Sequence, residues 1–258
     1  MEISLASRAA IVTGGSKGLG YAIATRFAQS GADVAIVARG REALDKAVKE
    51  VQSQAKGRVI GISADVAAPA DVKRVYEEAA KQFGKVDVLV NNAGTSRNAP
   101  FESITDEVWQ EDLELKLFAA IRMARLAWPG MKERKWGRII NVLNIGAKAP
   151  RAGSAPTTIS RAAGMALTKV QSHEGGPHNI LVNAMLVGFI EADQHVQRAA
   201  KEGIALSDYV SRRIKDIPLR RIGKAEEFAN LACFLVSDAA SYITGTAINV
   251  DGGHSPIV

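Results

Sequence analysis

Apolar stretches of strand length alternate with stretches of helical periodicity along most of the chain. Strands are predicted at Ala9–Val12, Asp33–Ala38, Val59–Ser63, Val86–Asn91, Arg138–Val142, Leu181–Met185 and Ala247–Val250. Helices are predicted near Leu19–Gln29, Glu42–Gln54, Ala70–Phe83, Thr105–Arg134, Ala155–Glu174 and Ala225–Ser237. Because strands that alternate with helices pair in parallel, this order predicts an α/β fold with helices on both faces of the sheet. Right-handed crossovers then give a doubly wound sheet of about seven strands, with ligands at the carboxyl ends of the strands.

The alternation runs without a linker, a repeat or a low-complexity segment, so we expect a single domain over residues 1–258. The segment 191–221 differs from the rest because it is charged and has no clean strand. It follows the sixth predicted strand, where it could form a mobile lid over a substrate. An ordinary helical insert on the surface accounts for the same residues equally well.

The turn between the first strand and the first helix is rich in glycine. Its candidate nucleotide-binding residues are Gly14, Gly15, Ser16, Lys17, Gly18, Leu19 and Gly20. The three spaced glycines give a tight turn, a close approach of pyrophosphate to the backbone and close packing of helix on strand. The N-terminus of the helix directs N–H groups and a positive dipole end at the anion. A turn without a ligand is the alternative, but the flanking strand and helix favour dinucleotide binding.

The residue after the second predicted strand indicates which dinucleotide is bound. A carboxylate at this point holds the ribose hydroxyls of NAD, whereas an arginine accommodates the 2′-phosphate of NADP. This chain has Arg39 there, and Lys17 adds a second cation in the glycine turn. Two cations and no carboxylate favour NADP(H) over NAD(H), unless Arg39 simply faces solvent.

Composition narrows the class of protein further. The chain has 258 residues, 47% of them apolar, but no apolar run approaches the ~20 residues of a membrane span. Its first residues lack the pattern of a signal peptide. The single cysteine, Cys233, is expected to pack in the core and fits a reducing cytoplasm. The four histidines have no metal-ligand spacing.

The net charge of +6 is modest and is spread along the chain. It suits an anionic cofactor or substrate, and no feature specific to nucleic-acid binding accompanies it. Lys148, Arg151 and Ser154 lie between the fifth strand and the following helix, in a loop that could bind an anionic substrate. A basic surface loop is the equally good alternative.

Several separate motifs give the chain a resemblance to the short-chain dehydrogenase/reductase family over nearly its whole length. The motifs are Thr13–Gly20 for TGxxxGxG, Asp65-Val66, Asn91–Gly94 for NNAG, Leu181–Ala184 followed by Gly188, Thr244-Gly245 and Asp251–Gly253. The resemblance implies a Rossmann-type sheet and a homo-tetramer or homodimer built through the long helices. It also implies that the cofactor is contacted by Asp65, Val66, Asn92, Gly94, Gly188 and Ile190.

The resemblance fails at the catalytic positions. The family uses a tyrosine and a lysine four residues later, a serine on the fifth strand and an asparagine on the preceding long helix. Alignment of Ser160–Ala163 with the family's Ser-Lys-Ala-Ala places Thr157 at the tyrosine and Arg161 at the lysine. Asn144 then stands at the serine, and Lys116 at the asparagine.

These replacements change the expected chemistry. The hydroxyl of Thr157 is shorter and far less acidic than a phenol, so Thr157 is a poor general acid on its own. Arg161 stays protonated but offers five donors that can hold the ribose hydroxyls of the cofactor. Asn144 can donate a hydrogen bond to a substrate oxygen. Lys116 could supply a proton if burial beside Arg161 lowers its pKa.

Three functions stay open at this point. The first is an NADP(H)-dependent oxidoreductase whose small-molecule substrate needs no strong acid, such as an activated double bond or an iminium. The second is a lyase or isomerase that has reused the pocket. The third is a cofactor-binding sensor or partner subunit without catalysis. Because one fold can host many functions, only the residues and geometry of the site can distinguish these three.

Overall fold

A parallel β-sheet forms the centre of the computed structural model, which describes residues 3–258 apart from the side chains of Asp193, Gln194 and Gln197. Within that range the sheet has seven strands in the order β3–β2–β1–β4–β5–β6–β7. The strands are β1 Ala9–Thr13, β2 Asp33–Ala38, β3 Val59–Ser63, β4 Val88–Asn91, β5 Gly137–Asn144, β6 Ile180–Val187 and β7 Ala247–Val250. The predicted doubly wound α/β sheet is therefore confirmed.

Helices cover both faces of this sheet. They are α1 Gly18–Gln29, α2 Arg41–Gln52, α3 Pro69–Phe83, α4 Asp106–Leu113, α5 Ala119–Glu133, α6 Thr157–Gly175, α7 Asp193–Lys201, α8 Leu206–Arg213 and α9 Ala225–Val236. On one face, Phe27 of α1 and Phe228 of α9 belong to a single buried cluster. On the other, Val75 of α3 and Met123 of α5 share a second cluster.

The two buried faces explain why the strands are continuous apolar runs. In β1, Val12 belongs to the first cluster and its neighbour Ile11 to the second, because successive side chains point to opposite faces. Cys233 lies in the first cluster as a free thiol, and burial raises its pKa. This position agrees with the predicted packing role. Across residues 3–258, no helix combines the length and the apolar character that a membrane crossing requires.

The long helix predicted over Thr105–Arg134 is wrong in one respect. The observed helices α4 and α5 are joined by a π-helical turn over Glu114–Phe118, which contains Lys116. A π turn adds one residue to a helical turn and leaves the periodicity of short windows almost unchanged, so the apolar pattern conceals it. Such single turns are frequent at functional sites.

Two predicted boundaries at the site also move. The register of β5 with β6 continues to the pair Asn144 and Val187, so both strands reach further towards the site than their apolar runs suggested. Ala155–Pro156 pairs with Asn98–Ala99 in a short antiparallel ribbon. Helix α6 therefore begins at Thr157 rather than at Ala155, and Thr157 occupies its first turn.

The segment 191–221 folds as α7 and α8, which we call the insert. A bridge between Ile190 and Gly223 joins its two ends. Phe189, Ala199, Tyr209 and Ile217 form a small apolar core of its own. Its movement as a lid stays a prediction.

Replacement of Gly20 by alanine tests how closely α1 packs on the glycine turn. A Cβ at Gly20 would overlap the Gly14 carbonyl oxygen and lie 2.6 Å from Asn92 Nδ2. Since backbone must move to admit it, Gly20→Ala should lower the free energy of unfolding by about 1–3 kcal/mol. Urea denaturation at fixed protein concentration measures this change.

Gly40→Ala is the matched control, because a Cβ there meets no heavy atom of the described residues within 4 Å and the residue has extended dihedral angles, φ −79° and ψ 112°, that alanine adopts without strain. Its free energy of unfolding should change by less than about 0.5 kcal/mol. Equal losses in both variants would contradict the packing argument.

Candidate active site

A cavity of about 1060 Å³ runs along the carboxyl ends of the seven strands. Its wall is formed in turn by residues that follow β3, β2, β1, β4, β5, β6 and β7. Ligands of doubly wound sheets bind at this edge, because the loops after the strands converge there. The cavity is large enough for a dinucleotide together with a small substrate.

The glycine turn is shaped to admit a phosphate group. Gly14 and Gly18 have positive φ angles of 65° and 57°, which glycine adopts without strain. No described heavy atom lies within 4 Å of the place where a Cβ of Gly18 would stand, so a ligand can approach the backbone closely there. The first turn of α1 contains no acidic residue, and Ser16 and Lys17 line the cavity beside it. This turn therefore fits a pyrophosphate.

Asn92 holds the glycine turn to the end of β4. Its side-chain amide donates to the carbonyl oxygens of Thr13 at 2.9 Å and Gly14 at 3.2 Å. The Thr13 hydroxyl accepts the backbone N–H groups of Asn92 and Ala93 and donates to the carbonyl of Val90. Asn92 lines the cavity, but its amide is engaged in fixing the shape of the turn.

Arg39 lies at the end of β2 with 72% of its side chain exposed. Its guanidinium is 3.9 Å from the carboxylate of Asp65, whose side chain is 44% exposed. An ion pair this long and this hydrated contributes little stability. Arg39 is therefore positioned to accept a more highly charged partner, and both side chains line the cavity.

Arg161 lies at the centre of the cavity. One guanidinium nitrogen donates to the Val142 carbonyl oxygen of β5 at 2.7 Å. Gly94 leaves room for the other, since a Cβ there would overlap Arg161 Nη2. Burial lowers the pKa of Arg161 to about 10, partly offset by Asp112, so the group keeps its charge at neutral pH. A fixed, charged fork of donors in this place fits the ribose hydroxyls of a nucleotide.

Thr157 lines the cavity, and its hydroxyl has three partners. The oxygen accepts one hydrogen bond from the Lys116 ammonium at 2.8 Å and one from the backbone N–H of Arg97 at 2.9 Å. It donates to the Arg97 carbonyl oxygen at 3.0 Å. The hydroxyl is thus fully hydrogen-bonded between the cavity and the ammonium of Lys116.

Lys116 lies behind Thr157, and its side chain is 0% exposed. Its ammonium forms an ion pair with Asp112, one helical turn earlier and 1% exposed. The other carboxylate oxygen of Asp112 accepts the Ser160 hydroxyl at 2.6 Å. Since an isolated buried ammonium is costly, this pairing with Asp112 is what permits Lys116 to be buried.

The pKa of Lys116 is lowered to about 8. Burial is the main cause, and the hydrogen bond that the Lys116 ammonium donates to Asp112 opposes it. The charges of Arg161 and Arg97 lower the pKa further. The sequence predicts a useful proton on Lys116 if burial beside Arg161 lowers its pKa. The structure agrees with that condition, and burial has a larger effect on the pKa than the charge of Arg161.

Asn144 and Gly188 complete the wall near Arg161. Asn144 Oδ1 is buried and makes no hydrogen bond within the described part of the chain. Such an orphaned oxygen suits a donor on a bound molecule. Gly188 lets Asp251 pack against the end of β6, because a Cβ there would overlap the Asp251 side chain.

Six basic or polar side chains line the far end of the cavity. They are Arg151, Ser154, His195, Arg198, Lys201 and Arg213. Lys148, predicted with Arg151 and Ser154 as an anion ligand, is absent from the cavity wall and donates instead to the Ala247 carbonyl oxygen at 2.6 Å.

Most sequence-predicted site residues lie on the cavity wall. These are Gly14, Ser16, Lys17, Gly18, Leu19, Arg39, Asp65, Val66, Asn92, Gly94, Asn144, Thr157, Arg161 and Gly188. Gly15, Gly20, Lys116 and Ile190 lie behind it. Within residues 3–258 as described, no group of three or more His, Cys, Asp or Glu residues could hold a metal ion.

Sequence reasoning missed Asp112 and the basic residues of the insert. Asp112 had one available signal, since an acid four residues before a lysine on a predicted helix lies on the same face. The basic residues of the insert had none, because charge alone does not tell which side chains face a cavity.

Comparisons with known proteins identify relatives over nearly the whole chain. A family model described as enoyl-(acyl carrier protein) reductase matches residues 14–255. The 3-oxoacyl-(acyl-carrier-protein) reductase of Aquifex aeolicus is 32% identical over 254 residues, covering 98% of this chain and 99% of that protein. The acetoacetyl-CoA reductase of Rhizobium meliloti is 35% identical over 248 residues, covering 96% and 98%.

The fold of a solved reductase is also nearly the same. L-sorbose reductase from Gluconobacter frateurii, in complex with NADPH and L-sorbose, has a TM-score of 0.95 against this chain. The two are 34% identical, and the alignment covers 100% of both chains. The likeness thus includes the strands, the glycine turn and the insert.

The buried pair of Lys116 and Asp112 can be tested by a double-mutant cycle. Lys116→Met leaves a carboxylate unpaired in the interior, and Asp112→Leu leaves an ammonium, so each should lower the free energy of unfolding by about 3–5 kcal/mol. The double variant should lose much less than the sum, because neither charge is left behind. Chemical denaturation at pH 7 measures the free energy of unfolding of the wild type, the two single variants and the double variant.

The exposed pair of Arg41 and Asp45 is the control, since it has the same spacing but side chains that are 72% and 58% exposed. Its coupling energy should be within about 0.5 kcal/mol of zero. A similarly small coupling for Lys116 and Asp112 would show that the buried pair is not formed.

Proposed function

Since this chain belongs to the short-chain dehydrogenase/reductase family of oxidoreductases, we propose that it is an NADP(H)-dependent reductase with an altered proton donor. In this proposal Thr157 takes the role of the family's phenol, and Lys116, which stands at the asparagine position, takes the role of its amine. The observation that carries this proposal is the 2.8 Å hydrogen bond from the buried Lys116 ammonium to the Thr157 hydroxyl on the cavity wall.

The pair provides a route for a proton from the interior to the cavity. A threonine hydroxyl is too weak an acid to protonate a substrate oxygen alone. It can pass its proton to that oxygen while it accepts one from Lys116, whose pKa of about 8 keeps it protonated at neutral pH. Before this transfer, the hydroxyl hydrogen of Thr157 must turn from the Arg97 carbonyl oxygen towards the cavity. Lys116 ends neutral and the substrate oxygen ends protonated.

The remaining residues bind and orient the reactants. A bound nicotinamide supplies the hydride. Arg161 holds the ribose hydroxyls, the glycine turn with Ser16 and Lys17 holds the pyrophosphate, and Asn144 orients the substrate. Because Thr157 is shorter than tyrosine, the substrate atom that receives the proton must come closer to α6 than a phenol requires. A substrate that needs little acid assistance, such as an activated double bond or an iminium, suits this arrangement.

The preference for NADP(H) is supported by charge at the end of β2. Arg39 is exposed on the cavity wall, and its contact with Asp65 is long enough to be given up for a 2′-phosphate. L-sorbose reductase, which has nearly the same fold, is solved with NADPH. NADH has no 2′-phosphate, so it offers Arg39 no anionic group at this position.

A cofactor-binding protein without turnover is the second candidate, and one observation favours it. The Thr157 hydroxyl is already saturated by Lys116 and the backbone of Arg97, and Lys116 has no exposed surface. Release of the Thr157 hydrogen from Arg97 is therefore the step on which catalysis depends.

Assembly as a homo-tetramer or homodimer forms part of the proposal. The long helices predicted to mediate it expose large apolar side chains, namely Phe118 between α4 and α5 and Ile159 and Val170 on α6. Burial of these side chains against a second copy would remove apolar surface from water.

Replacement of Arg39 tests the cofactor. Arg39→Ala should raise the Kd of NADPH about tenfold or more and change that of NADH by less than twofold, because only the 2′-phosphate loses a partner. Arg41→Ala is the control, since Arg41 is a nearby exposed cation that pairs with Asp45 and does not line the cavity. Fluorescence titration with both nucleotides measures the constants. Wild-type protein that binds neither nucleotide would exclude the proposed function.

Replacement of Lys116 tests the proton path. Reduction of a panel of carbonyl, imine and enone compounds should slow as pH rises through about 8, where Lys116 loses its proton. Lys116→Met and Thr157→Val should lower kcat at least about 100-fold and abolish this pH dependence. Thr157→Ser should keep both the wild-type kcat and the pH dependence, because it keeps the hydroxyl. Absorbance at the nicotinamide band reports turnover.

Binding of NADPH to each variant separates loss of chemistry from loss of structure. The double variant Asp112→Leu, Lys116→Met keeps the interior neutral and should bind NADPH while remaining inactive. Unchanged turnover in Lys116→Met would remove the lysine from the mechanism. Bound NADPH that no panel member oxidises would favour the second candidate, and product without a change in absorbance would favour a lyase or isomerase.

A further inference from the structure

The cavity ends beneath the insert in four basic side chains that neither the glycine turn nor the proton path uses. They come from three elements: Arg151 from the loop after β5, Arg198 and Lys201 from α7, and Arg213 from α8. We call these four residues the insert-end cluster. Arg198 is half-buried and the other three are exposed.

The charge of this cluster lacks an ion-pair partner among the side chains that the structure describes. None of the four forms an ion pair within the described ranges of the chain. Asp65 is the acidic residue on the described cavity wall, and it lies after β3, beside Arg39 at the opposite end. Like charges that face one cavity repel one another, so this end has a strong preference for an anion.

His195 shows that two of these charges converge. Its Nε2 lies 2.9 Å from the Ile190 carbonyl oxygen, which can only accept, so Nε2 carries the hydrogen. Burial lowers the pKa of His195, the carbonyl opposes this effect, and both Arg198 and Arg213 lower the pKa further. Guanidinium groups from two different helices therefore act on one imidazole, which also lines the cavity.

The sheet order separates the insert-end cluster from the turn that fits the cofactor phosphates. Arg39 follows β2 and the glycine turn follows β1, whereas the insert follows β6. Strands β4 and β5 lie between β1 and β6, so the ends of β1 and β6 are about 14 Å apart. Arg161 and Thr157 lie on the wall between these two cationic ends.

We propose that the insert-end cluster binds an anionic group of the substrate, a carboxylate or a phosphate, and so holds the reducible atom near Thr157. The inference rests on the proposed reductase function. Guanidinium groups bind both anions through paired hydrogen bonds, and three of the four residues are arginines. The preferred substrate is thus a carbonyl, imine or enone compound with a carboxylate or phosphate.

The same chemistry could serve the phosphates of the cofactor if the insert folds back over the glycine turn. The two sources predict different effects of one pair of substitutions. A site for the substrate anion leaves NADPH affinity unchanged when the cluster is neutralised, whereas a site for the cofactor lowers it.

The test uses Arg198→Gln with Arg213→Gln and a control that removes the same charge from the insert. The control is Arg212→Gln with Lys215→Gln, since both residues are exposed on the insert and neither lines the cavity. Inorganic phosphate and malonate are titrated calorimetrically into each NADPH-saturated protein at low ionic strength. The Kd of at least one anion should rise tenfold or more in the cluster variant and less than twofold in the control.

The NADPH affinity of the same proteins identifies the source of the anion. An NADPH Kd within twofold of wild type supports a substrate subsite, and a tenfold rise overturns it in favour of the cofactor. Equal loss of anion binding in cluster and control variants also overturns it, since only net charge would then matter.

Failure of the proposed function gives a different result. Wild-type protein would then bind no NADPH. Anion titrations of the nucleotide-free cluster and control variants would still differ if the insert-end cluster binds anions, and would agree if it does not.

Discussion

The ion pair between Lys116 and Asp112 is the interaction on which the architecture of the site depends. Both side chains are inaccessible to solvent, so each charge is tolerated only because the other is present. Through Ser160 and Thr157 the pair also joins the π turn before α5 to the first turn of α6. The wall of the cavity is therefore fixed from behind by electrostatic contacts that a purely apolar core would not supply.

The four residues that the family resemblance assigns to catalytic positions form one connected set under the proposed function. A threonine in place of tyrosine leaves space behind the cavity wall, and the ammonium of Lys116 reaches that space from the π turn. Arg161, which the resemblance assigns to the lysine position, keeps a cation on the cavity wall, and the Val142 carbonyl and Gly94 hold its guanidinium in place. Asp112 then balances a second cation in the interior. Change at one of these positions alone would leave an unpaired charge or an unfilled space.

Sequence reasoning predicted the parts of the fold that depend on local pattern. Parallel strands buried on both faces are continuous apolar runs, and the shape of the glycine turn depends on residues such as Gly14 and Gly20. The π turn escaped because one added residue barely disturbs helical periodicity. The direction of Lys148 and the grouping of Arg151 with Arg213 escaped because they depend on contacts between distant elements. Local composition carries no information on such contacts.

The distribution of charge along the cavity links the insert to what the cavity binds. Arg198 and Arg213 lie close enough to lower the pKa of His195 together, so they also repel each other. The small apolar core around Tyr209 and Ile217 packs α7 against α8. A bound anion would remove the repulsion, and by linkage whatever binds the folded insert also stabilises it. If the insert-end cluster binds the substrate anion as proposed, the insert is most stable when that anion is present.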